Sequence, residues 1–417
     1  MNNPLLNADI VGGPLLVGLY AGASVFCLVL LLRRRPLRGA LITTLVVLVA
    51  LLLGWMLAWL ISDVWNVYGI SLSVVTRLWV SVCVAGVALA VTNLFRSRWR
   101  RKIIALIAIP LFILTAALGI NADFGAFTTV RSALGLPLYP ALDTSTVAHP
   151  DLSHGTVGTV TIPASTSHFD ARQALVYLPP VARRADPPIL PVMELMSGQP
   201  GGPVDLFSSG HLATVLDEYA QSHNGYAPIV VVPDQLGSPE RNPMCLDSPL
   251  GNSASYLTVD VPHWIRAHFR VSAEPDGWAI GGFSQGATCS MQLGPAHPEL
   301  YGTILAISSE LVPQNGTLRN TITAGFGGDA AAFAAAAPSA ILLAHAPYHG
   351  MKAIFVVGGN DDRYLPWSEI LASSATRAGV ESTLLVSPGT AHDWHTVTWA
   401  FTNTIPLVAA DLGLAAR

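Results

Sequence analysis

The sequence predicts two folding units of different kinds: a bundle of four membrane-spanning helices and, after it, a doubly wound α/β domain. Three observations support this: an uneven charge distribution, four long apolar runs, and short apolar runs that alternate with helical patterns. The 417-residue chain is 51% hydrophobic and 12% charged, whereas soluble domains have about 25% charged residues. The composition argues against an ordinary cytosolic protein and excludes disordered and fibrous classes.

Charge divides the chain near Ile120. Residues 1–120 contain ten Lys or Arg and two Asp or Glu, and residues 121–417 contain 12 and 24, giving net charges of +8 and −12. Nucleic acid and anionic membrane surfaces would repel the second half, so neither is expected as its partner. We therefore predict a transmembrane domain over 1–120, a linker over 121–150 and an α/β domain over 151–417.

Four runs are long and apolar enough to cross about 30 Å of hydrocarbon, over residues 11–32, 39–61, 74–95 and 103–120. The first lacks a basic segment before it and is followed by three more, which argues against a cleaved signal peptide. These runs contain no Asp, Glu, Lys or His, so the bundle is predicted to be an anchor rather than a transporter. A lipid carrier with an accessory enzyme domain is an alternative.

Orientation follows from the basic loops, because short loops rich in Lys and Arg remain cytoplasmic. The segments 1–10 and 62–73 contain no Lys or Arg. The basic residues lie between the first and second spans and between the third and fourth: Arg33, Arg34, Arg35 and Arg38, then Arg96, Arg98, Arg100, Arg101 and Lys102. Both termini and the α/β domain are therefore predicted to be extracytoplasmic.

Strands and helices alternate in the second half. An antiparallel pair is expected first, over 155–162 and 173–178, and then strands covered on both faces, as in a parallel sheet. These strands are predicted over 189–196, 229–232, 277–280, 303–307, 353–357 and 382–386. Helices are predicted over 212–221, 258–268, 285–296 and 367–378, with a last one from about Thr396. In such sheets ligands bind at the carboxyl ends of the strands.

Residues Gly282–Gly286 form a G-x-S-x-G pattern around Ser284. An apolar strand leads into the pattern and a helical pattern follows it, which is the arrangement of a nucleophile elbow. Glycines permit the tight turn that exposes the serine hydroxyl. Ser284 is the predicted nucleophile.

A serine hydroxyl needs a positioned base, and in this architecture the chain order is Ser, then Asp or Glu, then His. His392 follows the last predicted strand on a short loop and is favoured over His395. Asp361 and Asp362 follow the preceding strand, and one carboxylate there would fix the histidine tautomer. Asp362 is favoured, with Asp361 as the alternative.

The tetrahedral intermediate needs two donors for its oxyanion, normally backbone N–H groups. One is expected from Gln285, next to the nucleophile. The other is expected from the glycine-containing loop Ser197–Gly202, where position favours Gln199.

Cofactor signals are absent from the sequence, which contains no H-E-x-x-H, C-x-x-C or Walker pattern. Neither zinc nor a nucleotide is therefore implied, and no cofactor is expected. Cys245 and Cys289 are the only cysteines in the second half, and an extracytoplasmic location would allow them to form a disulfide.

Over residues 156–412 the chain resembles the esterase D and mycolyltransferase branch of the α/β-hydrolases. The motifs that carry the resemblance are Leu190–Gln199, Gly281–Gly286, Val357–Asp362 and Gly389–Trp394. The resemblance implies an α/β-hydrolase fold with Ser284 as nucleophile, His392 as base, an Asp at the 360–362 turn as acid, and Gln199 and Gln285 as oxyanion donors.

Two further features follow from the resemblance. It implies a Cys245–Cys289 disulfide, because the more similar members carry both cysteines. The sequence departs from the family pattern at Ser197-Gly198, where many members have His-Gly or Asp-Gly, and in its four membrane spans, which replace a cleaved signal.

These features predict a membrane-anchored, extracytoplasmic serine esterase. Its expected partners are the bilayer and an ester-bearing lipid or cell-envelope substrate, cleaved through an acyl-enzyme on Ser284. An acyltransferase that moves the acyl group to a sugar or lipid hydroxyl is the first alternative. An inactive hydrolase-fold protein with a binding or sensing role is the second, and the intact order of Ser, Asp and His argues against it.

Overall fold

The computed structural model of the protein describes residues 3–32, 36–67, 69–95, 97–143 and 154–414. The chain divides into two compact units, Met1–Leu136 and Pro137–Arg417. Arg33, Arg34, Arg35 and Arg96, on which part of the orientation argument rests, lie outside the described residues, as do residues 144–150 of the predicted linker.

The first unit contains four helices that are long and apolar enough to cross a membrane, as the sequence predicts. They are α1 Gly13–Leu31, α2 Leu37–Trp59, α3 Val74–Leu94 and α4 Trp99–Phe124, with a π turn over Leu60–Val64 after α2. Helix α4 extends beyond the predicted span at both ends and stops at Gly125, whose φ of 67° ends a helix at low cost. The unit is suited to association with a membrane.

Small residues let α2 and α3 pack closely. A Cβ added to Gly54 would lie 2.6 Å from the Ser81 Cα, so the backbones are in near contact there. In a membrane, two apolar helices gain no hydrophobic free energy by leaving the lipid for each other. Close packing then drives their association through van der Waals contacts.

The segment that follows α4 pairs with the N-terminal residues. The Ile10 N–H donates to the Thr128 carbonyl at 3.1 Å and the Arg131 N–H donates to the Leu6 carbonyl at 2.7 Å, beside the short helix α5, Val130–Ala133. Further along, the Leu142 N–H donates to the Thr159 carbonyl at 2.9 Å within the second unit. Of the residues predicted as a linker, 121–136 therefore belong to the first unit, and the described residues from Pro137 onward belong to the second.

Among the described residues of the second unit, eight strands form one sheet in the order β1-β2-β4-β3-β7-β8-β9-β10. Pairs β1–β2 and β2–β4 are antiparallel and the others are parallel. The strands are β1 Thr156–Val160, β2 Ala174–Leu178, β3 Val192–Met196, β4 Ile229–Val232, β7 Trp278–Phe283, β8 Thr303–Ile307, β9 Lys352–Gly358 and β10 Glu381–Ser387, with a separate hairpin of β5 Asp247–Ser248 and β6 Gly251–Asn252. This is the mostly parallel sheet that the sequence predicts.

Helices cover both faces of the sheet. They are α6 Asp205–Ser208, α7 Leu212–Ser222, α8 Ser253–Ser255, α9 Val261–His268, α10 Gln285–Ala296, α11 Leu318–Phe326, α12 Ala330–Ala335, α13 Pro338–His345, α14 Tyr364–Arg377 and α15 Trp394–Asp411. On β3, Val192 packs in the core with Trp264 of α9, whereas its neighbour Met193 packs in the core with Phe401 of α15. Burial on both faces explains the continuous apolar runs of the strands.

The parallel strands place their carboxyl ends along one edge of the sheet. The loops that follow β3, β4, β7, β8 and β9 meet at this edge. In an open α/β sheet this is where a ligand binds.

Candidate active site

Ser284 lies on the turn between β7 and α10 with φ 55° and ψ −116°, a backbone conformation that few non-glycine residues adopt. A Cβ on Gly282 or Gly286 would lie 2.5 or 2.3 Å from the Met196 carbonyl oxygen. Both positions therefore require glycine so that the turn can pack against the end of β3. The predicted strand, turn and helix around Ser284 are confirmed.

His392 contacts the nucleophile. Its Nε2 lies 2.9 Å from Ser284 Oγ, and its side chain is 9% exposed. The ring lies beside those of Phe283 and Tyr364, with centroid distances of 4.9 and 4.0 Å. These two rings hold the imidazole in the plane from which it can accept the serine proton. His395 is exposed on the first turn of α15.

The loop carrying His392 is fastened to the end of β9. The Asn360 N–H donates to the Thr390 carbonyl at 2.8 Å, and a Cβ on Gly358 would lie 2.4 Å from the Ala391 carbonyl oxygen. Asp393 caps α15 through the Thr396 N–H at 2.8 Å. The same backbone contacts therefore position the loop that carries Asp361 and the loop that carries His392.

Asp361, and not Asp362, lies against the histidine. Asp361 Oδ2 is 3.1 Å from His392 Nδ1, and Asp361 Oδ1 accepts the Tyr364 N–H at 3.0 Å. Asp361 is 7% exposed, whereas Asp362 is exposed. The preference for Asp362 is corrected: adjacent side chains on the turn point in different directions, and the first of the two faces inward.

With Asp361 ionised, His392 Nδ1 carries the proton that it donates to the carboxylate. His392 Nε2 is then the acceptor for the Ser284 hydroxyl. The three side chains therefore have the arrangement expected of a nucleophile, a base and an orienting acid.

Tyr364 and Glu310 bring two more ionisable groups to the site. Burial, with the nearby Glu310 and Asp361 carboxyls, raises the pKa of Tyr364, whereas Ser284 and Arg363 oppose the shift. Burial raises the pKa of Glu310 to about 8, although a hydrogen bond from Thr288 opposes the shift. At neutral pH Glu310 is therefore predominantly a neutral acid.

Glu310 is held close to the nucleophile by Thr288, on the first turn of α10. Thr288 Oγ1 lies 3.3 Å from Glu310 Oε2 and 3.2 Å from the Ser284 carbonyl oxygen, and it accepts the Glu310 N–H at 2.9 Å. Within the described ranges, no Lys or Arg forms an ion pair with Glu310. The carboxyl thus lacks a counter-charge.

The predicted oxyanion loop passes beside Ser284. A Cβ on Gly198 would lie 3.5 Å from the Ser284 Cβ, so the loop approaches the nucleophile at the residue before Gln199. Gln285 begins α10, where backbone N–H groups have no partner within the helix. Gln199 follows Gly198 and Gln285 follows Ser284, so both predicted oxyanion donors are next in sequence to one of these two closely spaced residues.

Two acidic residues support this loop. Asp234 is fully buried and binds Arg172 through Nη2 at 2.7 Å and Nε at 2.9 Å, while Arg172 Nη2 also donates to the Gly201 carbonyl at 2.9 Å. Asp205 accepts the Gly202 N–H at 2.7 Å. These contacts fix the glycine-rich half of the loop, downstream of the Ser197-Gly198 departure from the family pattern.

Cys245 and Cys289 form a disulfide, with their Cα atoms 5.4 Å apart. Cys289 lies on α10, one turn after Gln285, so the disulfide ties the nucleophile helix to the loop that follows β4.

Motif analysis did not identify Tyr364, Glu310 or Gln235. Glu310 and Gln235 follow β8 and β4 at the carboxyl edge of the sheet, and the rule that ligands bind at that edge would have drawn attention to both. Tyr364 lies on the first turn of α14, which begins three residues earlier than predicted.

Fold and site together define a serine hydrolase of the α/β-hydrolase class. The model of the Esterase family matches residues 165–400, more than half of the chain. The protein belongs to this family and is a serine ester hydrolase. The match includes Ser284, Asp361 and His392.

A relative of comparable length is an uncharacterized protein of Corynebacterium glutamicum. It is 34% identical over 357 residues, which cover 81% of this chain and 83% of that protein. Because 81% of 417 residues exceeds the 281 residues of Pro137–Arg417, the alignment includes part of the first unit.

Two solved structures share the fold. A ferulic acid esterase has a TM-score of 0.53 at 18% identity and covers 63% of this chain and 100% of its own. An S-formylglutathione hydrolase from Agrobacterium tumefaciens has a TM-score of 0.53 at 19% identity, with 63% and 97% covered. Both likenesses show the fold alone.

Proposed function

We propose that this protein is a membrane-anchored esterase that cleaves an ester-linked lipid or cell-envelope substrate on the extracytoplasmic side, through an acyl-enzyme on Ser284. The observation that carries the proposal is the continuous hydrogen-bonded line from Asp361 through His392 to Ser284, at 3.1 and 2.9 Å. Those distances lie within the reach required for proton transfer from a nucleophile to its base.

The proposed reaction has two halves. His392 Nε2 takes the Ser284 proton as Oγ attacks the ester carbonyl, and the backbone N–H groups of Gln199 and Gln285 bind the oxyanion. The tetrahedral intermediate collapses to the acyl-enzyme while the imidazolium protonates the departing alcohol. Water then attacks with its proton passing to His392, and the carboxylic acid leaves as Ser284 regains its proton.

Charge distribution supports the extracytoplasmic orientation. Arg77, near the end of α3 opposite the basic loops, forms an ion pair with Asp63 at 2.7 Å, so it adds no net positive charge at that end. The described basic residues at the N-terminal ends of α2 and α4, next to the loops predicted to be cytoplasmic, are Arg38, Arg98, Arg100, Arg101 and Lys102. The disulfide Cys245–Cys289 also suits an oxidising compartment.

Attachment to a bilayer supports a lipid or envelope substrate, because an enzyme that acts on a soluble ester has no need of an anchor. The Corynebacterium glutamicum relative aligns with part of the helical unit as well as with the esterase unit. A transmembrane domain over 1–120, a linker over 121–150 and a catalytic domain over 151–417 remain our proposed functional division.

The test uses the full chain in detergent micelles. A fluorophosphonate probe should label the wild-type protein, and Ser284→Ala should abolish labelling and lower ester turnover by at least about 10⁴-fold. Persistent labelling or turnover by that variant would refute the assigned nucleophile.

The acyl acceptor is tested separately. An ester is supplied with and without trehalose or glycerol, and the products are weighed. We expect free carboxylic acid in both cases. An acyl-trehalose or acyl-glycerol product would instead establish an acyltransferase on the same serine.

The compartment is tested with a membrane-impermeant fluorophosphonate on intact cells. Labelling of Ser284 without lysis is expected. Labelling only after lysis would overturn the proposed orientation while leaving the esterase chemistry intact.

A further inference from the structure

A buried amide joins the two loops that carry the proposed oxyanion donors. Gln235, fully buried after β4, donates through Nε2 to the Ser197 carbonyl at 2.6 Å and to Gln285 Oε1 at 2.9 Å. An amide NH₂ has two protons, so both are used. Ser197 precedes Gln199 by two residues, and Gln285 itself follows Ser284.

The line of polar contacts continues from Gln285 away from the nucleophile. Gln285 Nε2 donates to Asn242 Oδ1 at 3.0 Å and lies 3.1 Å from Cys289 Sγ. Asn242 in turn donates to the Gln314 carbonyl at 2.7 Å. The Gln285 side chain is thus held at both its oxygen and its nitrogen, which fixes the first residue of α10.

No charged group takes part in this line of contacts, so the pH of the medium leaves its hydrogen bonding unchanged. Loss of the two donors would leave two buried acceptors without partners, which destabilises the fold. A displacement of a reacting group by about 1 Å can also lower a rate by roughly 10²-fold. Catalysis and stability are therefore measured separately.

We propose that Gln235 is a positioning residue that keeps the backbone N–H groups of Gln199 and Gln285 at the spacing required by the oxyanion. This inference rests on the proposed function of Ser284 and deepens it. Gln235 acts through Ser197 and Gln285, the two residues that accept its hydrogen bonds.

The test replaces Gln235 by Met, which keeps the length of the side chain and removes both donors. Gln292→Met is the matched control, because Gln292 lies on α10, is 3% exposed and donates through Nε2 to the Ala336 carbonyl at 3.2 Å. Both variants are made in the full chain and compared for ester kinetics and thermal unfolding.

The decisive readout is a transition-state analogue. A trifluoromethyl ketone forms a tetrahedral adduct with an oxyanion on the serine, whereas the matching amide binds without one. We expect Gln235→Met to lower kcat/KM and trifluoromethyl ketone affinity together, by about 10- to 100-fold, with amide affinity within twofold of wild type. Gln292→Met should leave all three unchanged.

Retention of ketone affinity and kcat/KM by Gln235→Met would overturn the inference. Failure of the proposed function is distinguishable from this outcome, because it would appear as turnover by Ser284→Ala. If Gln235→Met does not fold, Gln235→Leu provides the same test, since it fills most of the same space and has no donor for the Ser197 carbonyl or for Gln285 Oε1. Equal ketone affinity in Gln235→Leu and wild type would also overturn the inference.

Discussion

Ser284 is approached from two sides that differ in chemistry. We define the histidine flank as His392, Asp361 and Tyr364, and the amide flank as Gln235, Gln285 and Asn242. In the proposed reaction the histidine flank moves protons. Its members are ionisable, Asp361 and Ser284 lie within hydrogen-bonding distance of His392, and the Tyr364 and His392 ring centroids are 4.0 Å apart. The amide flank is uncharged, buried and linked by neutral hydrogen bonds. In the proposed mechanism, therefore, separate groups around one serine supply its reactivity and its geometry.

The largest effect is expected on the histidine flank, from Asp361→Asn. An amide at this position can present its own N–H to His392 Nδ1 and stabilise the wrong tautomer, so kcat should fall by about 10⁴-fold. Asp362→Asn is the control, because Asp362 is exposed, and its kcat should stay within twofold of wild type. Steady-state ester hydrolysis at pH 7.5 measures both.

The opposite result, a large loss in Asp362→Asn with Asp361→Asn close to wild type, would return the acid role to Asp362. The 3.1 Å contact between Asp361 and His392 would then have no catalytic consequence, and the two flanks would no longer differ in this respect.

A second prediction concerns the disulfide beside the amide flank. Cys245 and Cys289 are separated by 44 residues in sequence, and removal of a disulfide of this kind lowers the free energy of unfolding by roughly 2–5 kcal/mol. In the Cys245→Ala/Cys289→Ala variant the unfolding midpoint should fall on the order of 10 °C. Near-UV circular dichroism of the full chain measures the shift.

Reductant provides the internal check for this prediction. Wild-type protein should lose stability in dithiothreitol, and a Cys27→Ala/Cys83→Ala variant should respond in the same way, because those two cysteines are free. A midpoint that is unchanged when Cys245 and Cys289 are both replaced would show that the amide flank is held without the disulfide.

The histidine flank could largely be predicted from sequence. A strand that leads into G-x-S-x-G identifies Ser284, and the order of residues along the chain identifies His392. The choice between Asp361 and Asp362 could not be made, because it depends on how the turn after Gly358 rotates. That rotation is set by a contact with Ala391, more than thirty residues away.

Of the amide flank, Gln285 could be predicted from its place after Ser284, but Gln235 and Asn242 could not. Gln235 and Asn242 follow β4 without a motif, and a glutamine in a polar loop is ordinarily exposed. The edge rule indicates only that the loop after β4 lies near the site. Which side chain turns inward depends on the paired acceptors, Ser197 and Gln285, and these meet only after the parallel sheet has formed.

Glu310 likewise follows a strand without a motif, and it gives the smallest predicted effect. Its raised pKa, about 8, keeps the carboxyl neutral below that pH, and ionisation above it places a negative charge near Tyr364 and Ser284. Such a charge disfavours an anionic tetrahedral intermediate. In wild type kcat/KM should therefore decline several-fold between pH 7.5 and 9.

Glu310→Gln removes the ionisation while keeping the shape and the acceptor for Thr288. We expect its kcat/KM to stay within about threefold of wild type at pH 7 and to lose the decline at higher pH. Asp362→Asn removes an exposed charge and should retain the wild-type profile. If Glu310→Gln declines as wild type does, the alkaline limb belongs to another group, and the charge of Glu310 has no effect on the reaction at Ser284.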